Sequence, residues 1–401
     1  AGTAPGDIGM LLHGTTLATN AIIERKGANV ALITTDGFRD VLEIGYESRF
    51  NQYDIFIDKP TPLVPRHRRF TVPERVDVHG RVLLDLDEDA VEALLPKLDR
   101  AGVESIAIGF LHGYANPAHE QRAREIIKAA RPGLSITLSS EVCPEIREFE
   151  RFTTATANAY VRPLIARYLN NLEIRLAKIG IVSPVLLMTS GGGLTTLETA
   201  AQFPIRLVES GPAGGAILAT GIAADLDLTK AISFDMGGTT AKICLIDDFA
   251  AQRAREFEVD RQARFRKGSG LPLRIPVIEM VEVGAGGGSI ARVDALNQIT
   301  IGPDSAGADP GPAAYGRGGE QPTITDADIH LGRIDPGRFA GGQVPLSPDR
   351  AEAVLSADIG KKLDLSSQMA AYGVTEMVDE AMANAARVHA VEQGKAASDY
   401  T

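Results

Sequence analysis

Short runs of apolar and β-branched residues alternate with helical stretches through the first half of the chain. The runs that predict buried strands are residues 29–35 (NVALITT), 105–111, 135–140 and 185–189. Between them, residues 89–101 and 117–130 predict helices, the second with Asn116 as its cap and Pro117 at its first position. This alternation is typical of a mostly parallel sheet covered by helices, so we expect an α/β fold.

Two further segments shape that expectation. A long helix is predicted from about residue 148 to 179, because apolar residues recur every four positions from Leu164 onward, and Pro163 is expected to kink it. Residues 56–76 contain four prolines and a basic run, so we expect a solvated loop outside the sheet. A substrate lid is the alternative for this loop.

Charge and cysteine content exclude several classes of protein. Lysine and arginine number 41 against 52 aspartate and glutamate residues, which gives a net charge of −11. An acidic surface argues against nucleic acid or an anionic membrane as the main partner. No run approaches the roughly 18 apolar residues that a membrane span needs. The two cysteines, Cys143 and Cys244, make no disulfide framework, so a reducing, cytoplasmic compartment is expected.

The motif that points most directly to chemistry is a predicted hairpin at residues 232–246 (ISFDMGGTTAKICLI). Asp235 stands near the end of its first strand, and the turn contains Gly237, Gly238, Thr239 and Thr240. Glycines let backbone N–H groups approach an anion, and threonine hydroxyls add donors. The carboxylate can hold hydrated Mg²⁺ or orient a water molecule. An ordinary hairpin is the alternative, since Asp-x-Gly-Gly also makes a good turn.

A second cluster of small residues, Gly284–Ser289, follows 49 positions after Asp235 (284 − 235 = 49). With almost no side chains to pack, it favours a backbone-lined anion or ligand site over core. Residues 302–319 have turn composition throughout, and Asp304 and Asp309 are interpreted as turn formers, with metal binding as the alternative. Residues 325–328 (TDAD) are expected to cap a helix that begins at about residue 329.

The seven histidines form no pair with metal-ligand spacing, so a structural zinc site is not expected. His13 and His112 each precede a glycine at a predicted strand end, where ligands of parallel sheets are bound. Each is therefore a candidate for a role near substrate, and a hydrogen-bonded loop histidine is the alternative.

A helix of small residues precedes the hairpin. Residues 207–216 (LVESGPAGGA) lead into it, and it ends at about Ala224, before the Asp235 strand. The order of helix, strand and Asp-x-Gly-Gly-Thr hairpin resembles the middle of the actin, sugar-kinase and heat-shock-chaperone ATPase superfamily. The resemblance implies that the helix connects two lobes and that the hairpin is the second phosphate loop. We expect the boundary between the lobes near residues 222–231.

Longer motifs resemble one family within that superfamily. They are 13–21 (HGTTLATNA), 25–28 (RKGA), 34–40 (TTDGFRD), 188–193 (MTSGGG), 283–291 (VGAGGGSIA), 302–319 (GPDSAGADPGPAAYGRGG) and 325–328 (TDAD). Together they are similar to the A-type subunit of the hydantoinase/5-oxoprolinase family, to which acetone and acetophenone carboxylases also belong. The resemblance extends over essentially the whole chain.

The resemblance implies an α/β fold of two actin-like (ribonuclease H-like) lobes, 1–225 and 226–401, with mixed sheets flanked by helices. ATP and Mg²⁺ are the implied cofactors. Asp235 and His13 are the catalytic candidates, and Asp235 is also the metal candidate. The nucleotide-binding candidates are Gly237, Gly238, Thr239, Thr240, Gly284, Gly286, Gly287, Gly288, Ser289 and Gly211.

Three departures from the family pattern stand out. No first Asp-x-Gly-Gly-Thr phosphate loop precedes His13, and no Gly-Gly-x-Gly-Pro adenosine loop follows residues 383–401. We therefore expect that both ends are truncated and that this is the middle of a longer polypeptide. Lys242 stands near the end of the hairpin, where many relatives place an acidic residue, so it either neutralises phosphate or is solvated.

The function implied by the resemblance is ATP-dependent hydrolysis of a cyclic amide of the hydantoin or 5-oxoproline type, through phosphorylation of the carbonyl oxygen. A B-type partner subunit and a hetero-oligomer are expected. The alternatives are a subunit of an ATP-dependent ketone carboxylase, a nucleotide-gated chaperone or reactivase, and a degenerate scaffold that binds no nucleotide.

Overall fold

The chain, seen here as a computed structural model, is described for residues 4–46, 49–263 and 267–401. It divides into two compact units. The first contains Ala1–Gly214 and Arg253–Ile278, and the second contains Gly215–Gln252 and Glu279–Thr401. Both units combine strands and helices, so the structure is a mixed α/β fold. Within the described ranges, no helix is both long and apolar enough to cross a bilayer.

The strands are mostly short. In chain order they are β1 (Leu11–His13), β2 (Val30–Thr35), β3 (Arg69–Val72), β4 (Arg75–Val76), β5 (Val82–Leu84), β6 (Ser105–Gly109), β7 (Ser135–Leu138), β8 (Val185–Met188), β9 (Leu194–Thr196), β10 (Lys230–Met236), β11 (Ala241–Asp247), β12 (Ala250–Ala251), β13 (Arg253–Ala254), β14 (Phe257–Val259), β15 (Leu271–Leu273), β16 (Val277–Ile278), β17 (Val281–Val283), β18 (Ser289–Val293) and β19 (Ile299–Ser305).

The helices range from a single turn to 31 residues. They are α1 (Leu17–Ile23), α2 (Val41–Ile44), α3 (Glu88–Glu92), α4 (Leu95–Arg100), α5 (Ala118–Ala130), α6 (Ser139–Val142), α7 (Glu148–Lys178), α8 (Leu197–Gln202), α9 (Ser210–Asp225), α10 (Ile324–His330), α11 (Pro348–Leu355), α12 (Lys361–Leu363) and α13 (Ser367–Glu392). A π-helical turn, Ser356–Gly360, joins α11 to α12.

The first unit is built on a four-stranded parallel sheet with the order β3-β2-β6-β7. Its central strands are almost entirely apolar because helices cover both faces, and Ile33, Ile106 and Ile108 are fully buried. Helix α7 packs against β6 and β7, and its first half is buried from Glu150 to Val161. The long helix is therefore confirmed, with Pro163 inside it.

The helices near Pro96 and Pro117 have different boundaries from those predicted from the sequence. The helix expected over 89–101 is two helices, α3 and α4, because Pro96 lies in the first turn of α4 and donates no backbone N–H group to a continuous helix. Helix α5 begins at Ala118, whose N–H donates to Asn116 Oδ1 at 3.1 Å.

The expectation that residues 56–76 form a solvated loop is wrong for residues 69–72, which are strand β3 at the edge of the parallel sheet. Arg69 is buried there. Its Nε donates to Val64 O at 2.9 Å, and its Nη2 lies 2.7 Å from a carboxylate oxygen of Glu43. These partners explain how an arginine from a basic run enters the sheet.

The second unit is built around the antiparallel pair β10 and β11, to which β12 and β17 add. A second antiparallel pair, β18 and β19, lies in the same unit. Helix α10 packs against α11 and α13. Buried residues from these elements, including Ile243, Leu355 and Val374, form the apolar core of the unit.

The division into lobes at residues 225 and 226 remains a prediction. The compact units separate earlier along the chain, after Gly214, and residues 253–278 belong with the first unit. This return is explained by β15, which packs against α7, and by Arg274, whose N–H donates to Thr154 Oγ1 at 2.9 Å.

Candidate functional site

The hairpin predicted around Asp235 is present in the second unit as β10 and β11. Asp235 pairs with Lys242 across the ladder, and Gly237 N–H donates to Thr240 O at 2.9 Å to close the tip. Asp235 is exposed, and its carboxylate makes no hydrogen bond or ion pair with any described residue. An unpartnered carboxylate beside a glycine turn can therefore accept a cation or a water molecule.

Lys242 is not a simple solvated side chain. Its side chain is 13% exposed, and its Nζ lies 4.0 Å from a carboxylate oxygen of Glu282 on β17. Lysine opposite Asp235 on the same face of the ladder brings positive charge to the hairpin. Its action on phosphate remains a prediction.

The tip of the hairpin presents unpartnered backbone donors. The N–H groups of Gly238, Thr239 and Thr240 donate to no acceptor within the ranges that the structure describes. The Gly238 and Thr239 positions are exposed, whereas Thr240 is half-buried. Consecutive backbone N–H groups in a turn form a concave site for an anion, so the geometry of the tip fits a phosphate group.

The glycine cluster after β17 lies directly against this tip. Gly287 N–H donates to Gly237 O at 3.0 Å, and Gly288 N–H donates to Gly238 O at 2.7 Å. A Cβ atom at Gly286 would lie 2.6 Å from the backbone nitrogens of both Thr239 and Thr240. The approach is possible only because residue 286 has no side chain.

The glycine cluster therefore supports the tip. The N–H groups of Gly287 and Gly288 already donate to carbonyl groups of the hairpin. The residues that the sequence analysis assigns to the nucleotide here are Gly284, Gly286, Gly287, Gly288 and Ser289. Direct contact of these residues with nucleotide remains a prediction.

Thr325 anchors the glycine cluster, a role that the sequence analysis missed. Its N–H and its hydroxyl both donate to Gly287 O at 2.8 Å. Ser289 Oγ accepts the Gly286 N–H at 2.9 Å from the other side. The threonine of the TDAD motif was the available signal, but the sequence does not show that it meets a loop 38 residues away.

The TDAD motif has the capping role that was expected, with a different boundary. Helix α10 begins at Ile324 rather than near 329, because Thr323 and Asp326 form a reciprocal capping box. Asp326 is buried and accepts four hydrogen bonds, from the N–H groups of Ala313, Ala314 and Thr323 and from the Thr323 hydroxyl. Burial raises the pKa of its carboxyl, against the opposing effect of these donors.

Replacing Asp326 is expected to destabilise the second unit. Asp326→Ala leaves buried N–H groups without an acceptor, which costs about 1–3 kcal/mol for each orphaned group, so we expect a loss of at least about 3 kcal/mol. Urea unfolding of Asp326→Ala and Asp304→Ala measures the difference. Asp304 is exposed and paired with Arg292 at 2.6 Å, so its loss is expected to cost less than about 1 kcal/mol. Equal losses for the two variants would contradict this assignment.

Asp304 lies in β19, so its interpretation as a turn former is wrong. Within the described ranges, no group of three or more histidine, cysteine, aspartate or glutamate side chains could hold a metal ion. This does not conflict with the proposed Mg²⁺, because that ion keeps several waters and takes one or two carboxylates together with phosphate oxygens. Asp235 beside the open tip fits that requirement.

His13 and Gly211 belong to the first unit, whereas the other predicted site residues belong to the second. His13 ends β1, and its Nε2 lies 2.7 Å from the Tyr168 hydroxyl. Ser210 at the start of α9 donates from its hydroxyl to Thr15 O at 3.0 Å, so the loop after β1 packs on the helix that contains Gly211. Catalytic and nucleotide roles for His13 and Gly211 remain predictions.

His112 has a ring partner as well. Its backbone has a φ of 56°, and its Nδ1 lies 3.4 Å from the Tyr114 hydroxyl. The surrounding loop is further fixed by the Glu148 carboxylate, which accepts the His112 N–H at 3.5 Å. A hydrogen-bonded loop histidine, the alternative at the sequence level, accounts for this geometry.

The state of His13 is testable by titration. Burial lowers the pKa of its imidazole below 6.5, so the ring is expected to stay neutral until the pH falls below that value. The stabilising contribution of the neutral ring is present above pH 6.5 and is lost as the pH falls through the pKa of the folded state. NMR titration of the His13 ring protons should give a midpoint below 6.5, with the urea-unfolded protein as control. A midpoint at or above 6.5 would contradict the burial of the ring.

Comparison with known proteins decides the family. A family model described as hydantoinase/oxoprolinase matches residues 151–401, and the model of the hydantoinase/oxoprolinase N-terminal region matches residues 1–130. The chain belongs to the hydantoinase/oxoprolinase family. The resemblance stated from the sequence motifs is therefore confirmed.

Relatives of known structure share the fold. Caprolactamase subunit alpha of Pseudomonas jessenii is 34% identical over 98% of this chain and 56% of its own length. The nucleotide-free acetone carboxylase structure, solved for the mechanism of ATP-dependent acetone carboxylation, has a TM-score of 0.80 at 28% identity and covers 98% of this chain and 56% of that chain. The ATP-dependent caprolactamase structure from P. jessenii has a TM-score of 0.79 at 32% identity, with 99% and 56% covered. The α/β fold class is confirmed, and the chain spans a little over half the length of these hydantoinase/oxoprolinase relatives.

Proposed function

We propose that this chain contributes the phosphate-handling site of an ATP-dependent enzyme that opens a cyclic amide. The observation that carries the proposal is the hairpin tip, where the N–H groups of Gly238, Thr239 and Thr240 have no acceptor in the described structure and the Asp235 carboxylate is exposed beside them. The relation to an ATP-dependent caprolactamase supports both the nucleotide and the cyclic amide.

The site residues act on the phosphates of ATP by position and charge. The three N–H groups and the hydroxyls of Thr239 and Thr240 donate to phosphate oxygens, and Gly286 holds the tip in place. Bound Mg²⁺ would neutralise the charge that develops on the phosphates. Asp235 would hold that hydrated ion through its carboxylate, and Lys242 brings a second positive charge to the same face of the hairpin.

The reaction overcomes the low reactivity of an amide carbonyl. The carbonyl oxygen attacks the γ-phosphorus, the bond to the bridging oxygen breaks, and ADP leaves. The resulting imidate phosphate is a better electrophile, so water adds to its carbon and the ring C–N bond breaks to give an acyl phosphate. A second water adds to the same carbon and releases phosphate. The sum is one cyclic amide, one ATP and two waters converted to an amino acid, ADP and phosphate.

A ketone carboxylase is the second candidate, and the structural likeness to acetone carboxylase favours it. In that case a ketone enolate and bicarbonate are activated in place of an amide, with one phosphoryl group transferred to each. The relatives are named as subunits, so we propose that this protein also acts with a partner subunit of the B type.

Release of ADP separates these candidates. The protein is assayed with its partner subunit, first with ε-caprolactam, hydantoins and 5-oxoproline, then with ketones in the presence and absence of bicarbonate. ADP release coupled to ring opening without bicarbonate supports the amidohydrolase. Release that requires both ketone and bicarbonate assigns the carboxylase. No release in either arm would contradict both and favour a chaperone or a scaffold.

A further inference from the structure

A cavity of about 670 Å³ lies in the first unit, and its lining contains no residue assigned to the phosphates. Its charged and polar lining includes three residues that each directly precede a parallel strand, together with Arg25, His67 and Tyr160. Arg68 precedes β3, Asn29 precedes β2, and Glu104 precedes β6. The cavity therefore lies at the amino edge of the parallel sheet, and we call it the amino-edge cavity.

Arg68 gives the cavity an unsatisfied cation. Its guanidinium makes no hydrogen bond and no ion pair with any described residue, and its Nε is buried without an acceptor. The other arginine in the lining, Arg25, is already paired, with Asp260 at 2.5 Å and with Thr61 O at 2.8 Å. The half-buried guanidinium of Arg68 is therefore available to an anion, and a carboxylate matches its fork geometry.

The lining also contains acceptors, on the exposed Glu104 and the half-buried Asn29. Glu104 uses Oε2 to accept the Asn29 N–H at 2.9 Å, which leaves Oε1 without a donor among the described residues. The Asn29 amide group donates to Ala101 O and Gly102 O, both at 2.8 Å, so its Oδ1 is fixed as an acceptor and is buried without a donor. One carboxylate and one amide oxygen match an ammonium group.

The separation of Arg68 from Glu104 favours an extended ligand. Strands β3 and β6 flank β2 with registers that differ by two residues, so the backbones that carry Arg68 and Glu104 are about 12 Å apart. An α-amino acid carries both charged groups on one carbon, so this spacing favours a ligand whose charges are further apart. A chain of several methylene groups between carboxylate and ammonium provides that separation. The apolar residues Leu63 and Ala101 also line the cavity.

We propose that the amino-edge cavity binds an ω-amino acid, with its carboxylate on Arg68 and its ammonium on Glu104 and Asn29. This inference rests on the proposed function for its biological ligand, because opening a simple lactam such as ε-caprolactam releases an ω-amino acid. The cavity is then a product site that the neutral substrate does not fill.

Calorimetric titration of the protein with its partner subunit, without nucleotide, tests the proposal. The probes are 6-aminohexanoate, hexanoate, hexylamine and neutral ε-caprolactam. We expect 6-aminohexanoate to bind at least about 10-fold more tightly than either singly charged probe, because each charged contact adds separately, and we expect no binding of the lactam to the cavity. Equal affinity for 6-aminohexanoate and hexanoate would overturn the proposal.

Variants locate the binding. Arg68→Gln and Glu104→Gln are each expected to weaken 6-aminohexanoate binding by about 10- to 100-fold. Arg66→Gln is the matched control, since Arg66 lies on the same turn, is exposed, is paired with Asp40 at 2.8 Å and does not line the cavity. Wild-type affinity in both Arg68→Gln and Glu104→Gln would overturn the proposal. If 6-aminohexanoate binds but the lactam does not stimulate ADP release, the ω-amino acid site stands and the proposed function is refuted. If the lactam stimulates ADP release but 6-aminohexanoate does not bind, only the ω-amino acid site is refuted.

Discussion

Asp235→Asn is expected to lower ATP turnover by at least about 100-fold while leaving the protein folded. Asparagine keeps the size of the side chain but removes the negative charge that would hold hydrated Mg²⁺ beside the phosphates. Because Asp235 is exposed and has no partner among the described residues, the free energy of unfolding should change by less than about 0.5 kcal/mol.

Steady-state ADP release and urea unfolding measure the two effects of Asp235→Asn on the same preparation. Asp304→Asn is the matched control, since it also removes one exposed carboxylate from a strand of the same unit. In the wild type, Asp304 is paired with Arg292. Its turnover should equal that of the wild type. Wild-type turnover in Asp235→Asn would remove Asp235 from the mechanism.

Gly286→Ala is expected to weaken binding of Mg-ATP by at least about 100-fold. The added Cβ would lie 2.6 Å from the nitrogens of Thr239 and Thr240 and 2.7 Å from Gly237 O, and these are backbone atoms that cannot rotate away. The tip must therefore shift, which displaces the N–H groups proposed to bind phosphate. Forcing a methyl group into a packed site also costs about 1–3 kcal/mol of stability.

Equilibrium titration of Mg-ATP measures this effect, with urea unfolding alongside to show that the Gly286→Ala protein is folded. Gly133→Ala is the control, because Gly133 is exposed and a Cβ there meets no atom within 4 Å. Its affinity for Mg-ATP should match the wild type. An unchanged affinity in a folded Gly286→Ala protein would show that the tip does not hold the phosphates.

Much of the first unit could be predicted from local sequence. Strands β2 and β6 are almost entirely apolar because both faces of a parallel sheet are covered, and the second half of α7 repeats apolar residues every four positions from Leu164. Strand β3 could not be predicted, because the burial of Arg69 in the sheet depends on its ion pair with Glu43 and its hydrogen bond to Val64 O. Neither interaction is visible in the sequence.

The same contrast holds for the candidate site. The Asp-x-Gly-Gly-Thr turn could be recognised from residue types, but the need for glycine at 286 arises from a close approach to Thr239 and Thr240, more than 40 positions earlier. Thr325 was missed because its acceptor, Gly287 O, is distant in sequence. The amino-edge cavity joins Arg68, Asn29 and Glu104 only through the order of the strands.

The central claim is that the γ-phosphoryl group passes to the carbonyl oxygen of a cyclic amide. It is tested most directly with ε-caprolactam that carries ¹⁸O in its carbonyl group, incubated with Mg-ATP, this protein and its partner subunit. ³¹P NMR then shows whether the released phosphate contains the label. The account predicts one ¹⁸O atom in each phosphate, because both waters attack carbon. Unlabelled phosphate, with all of the ¹⁸O in the carboxylate of the amino acid, would contradict it.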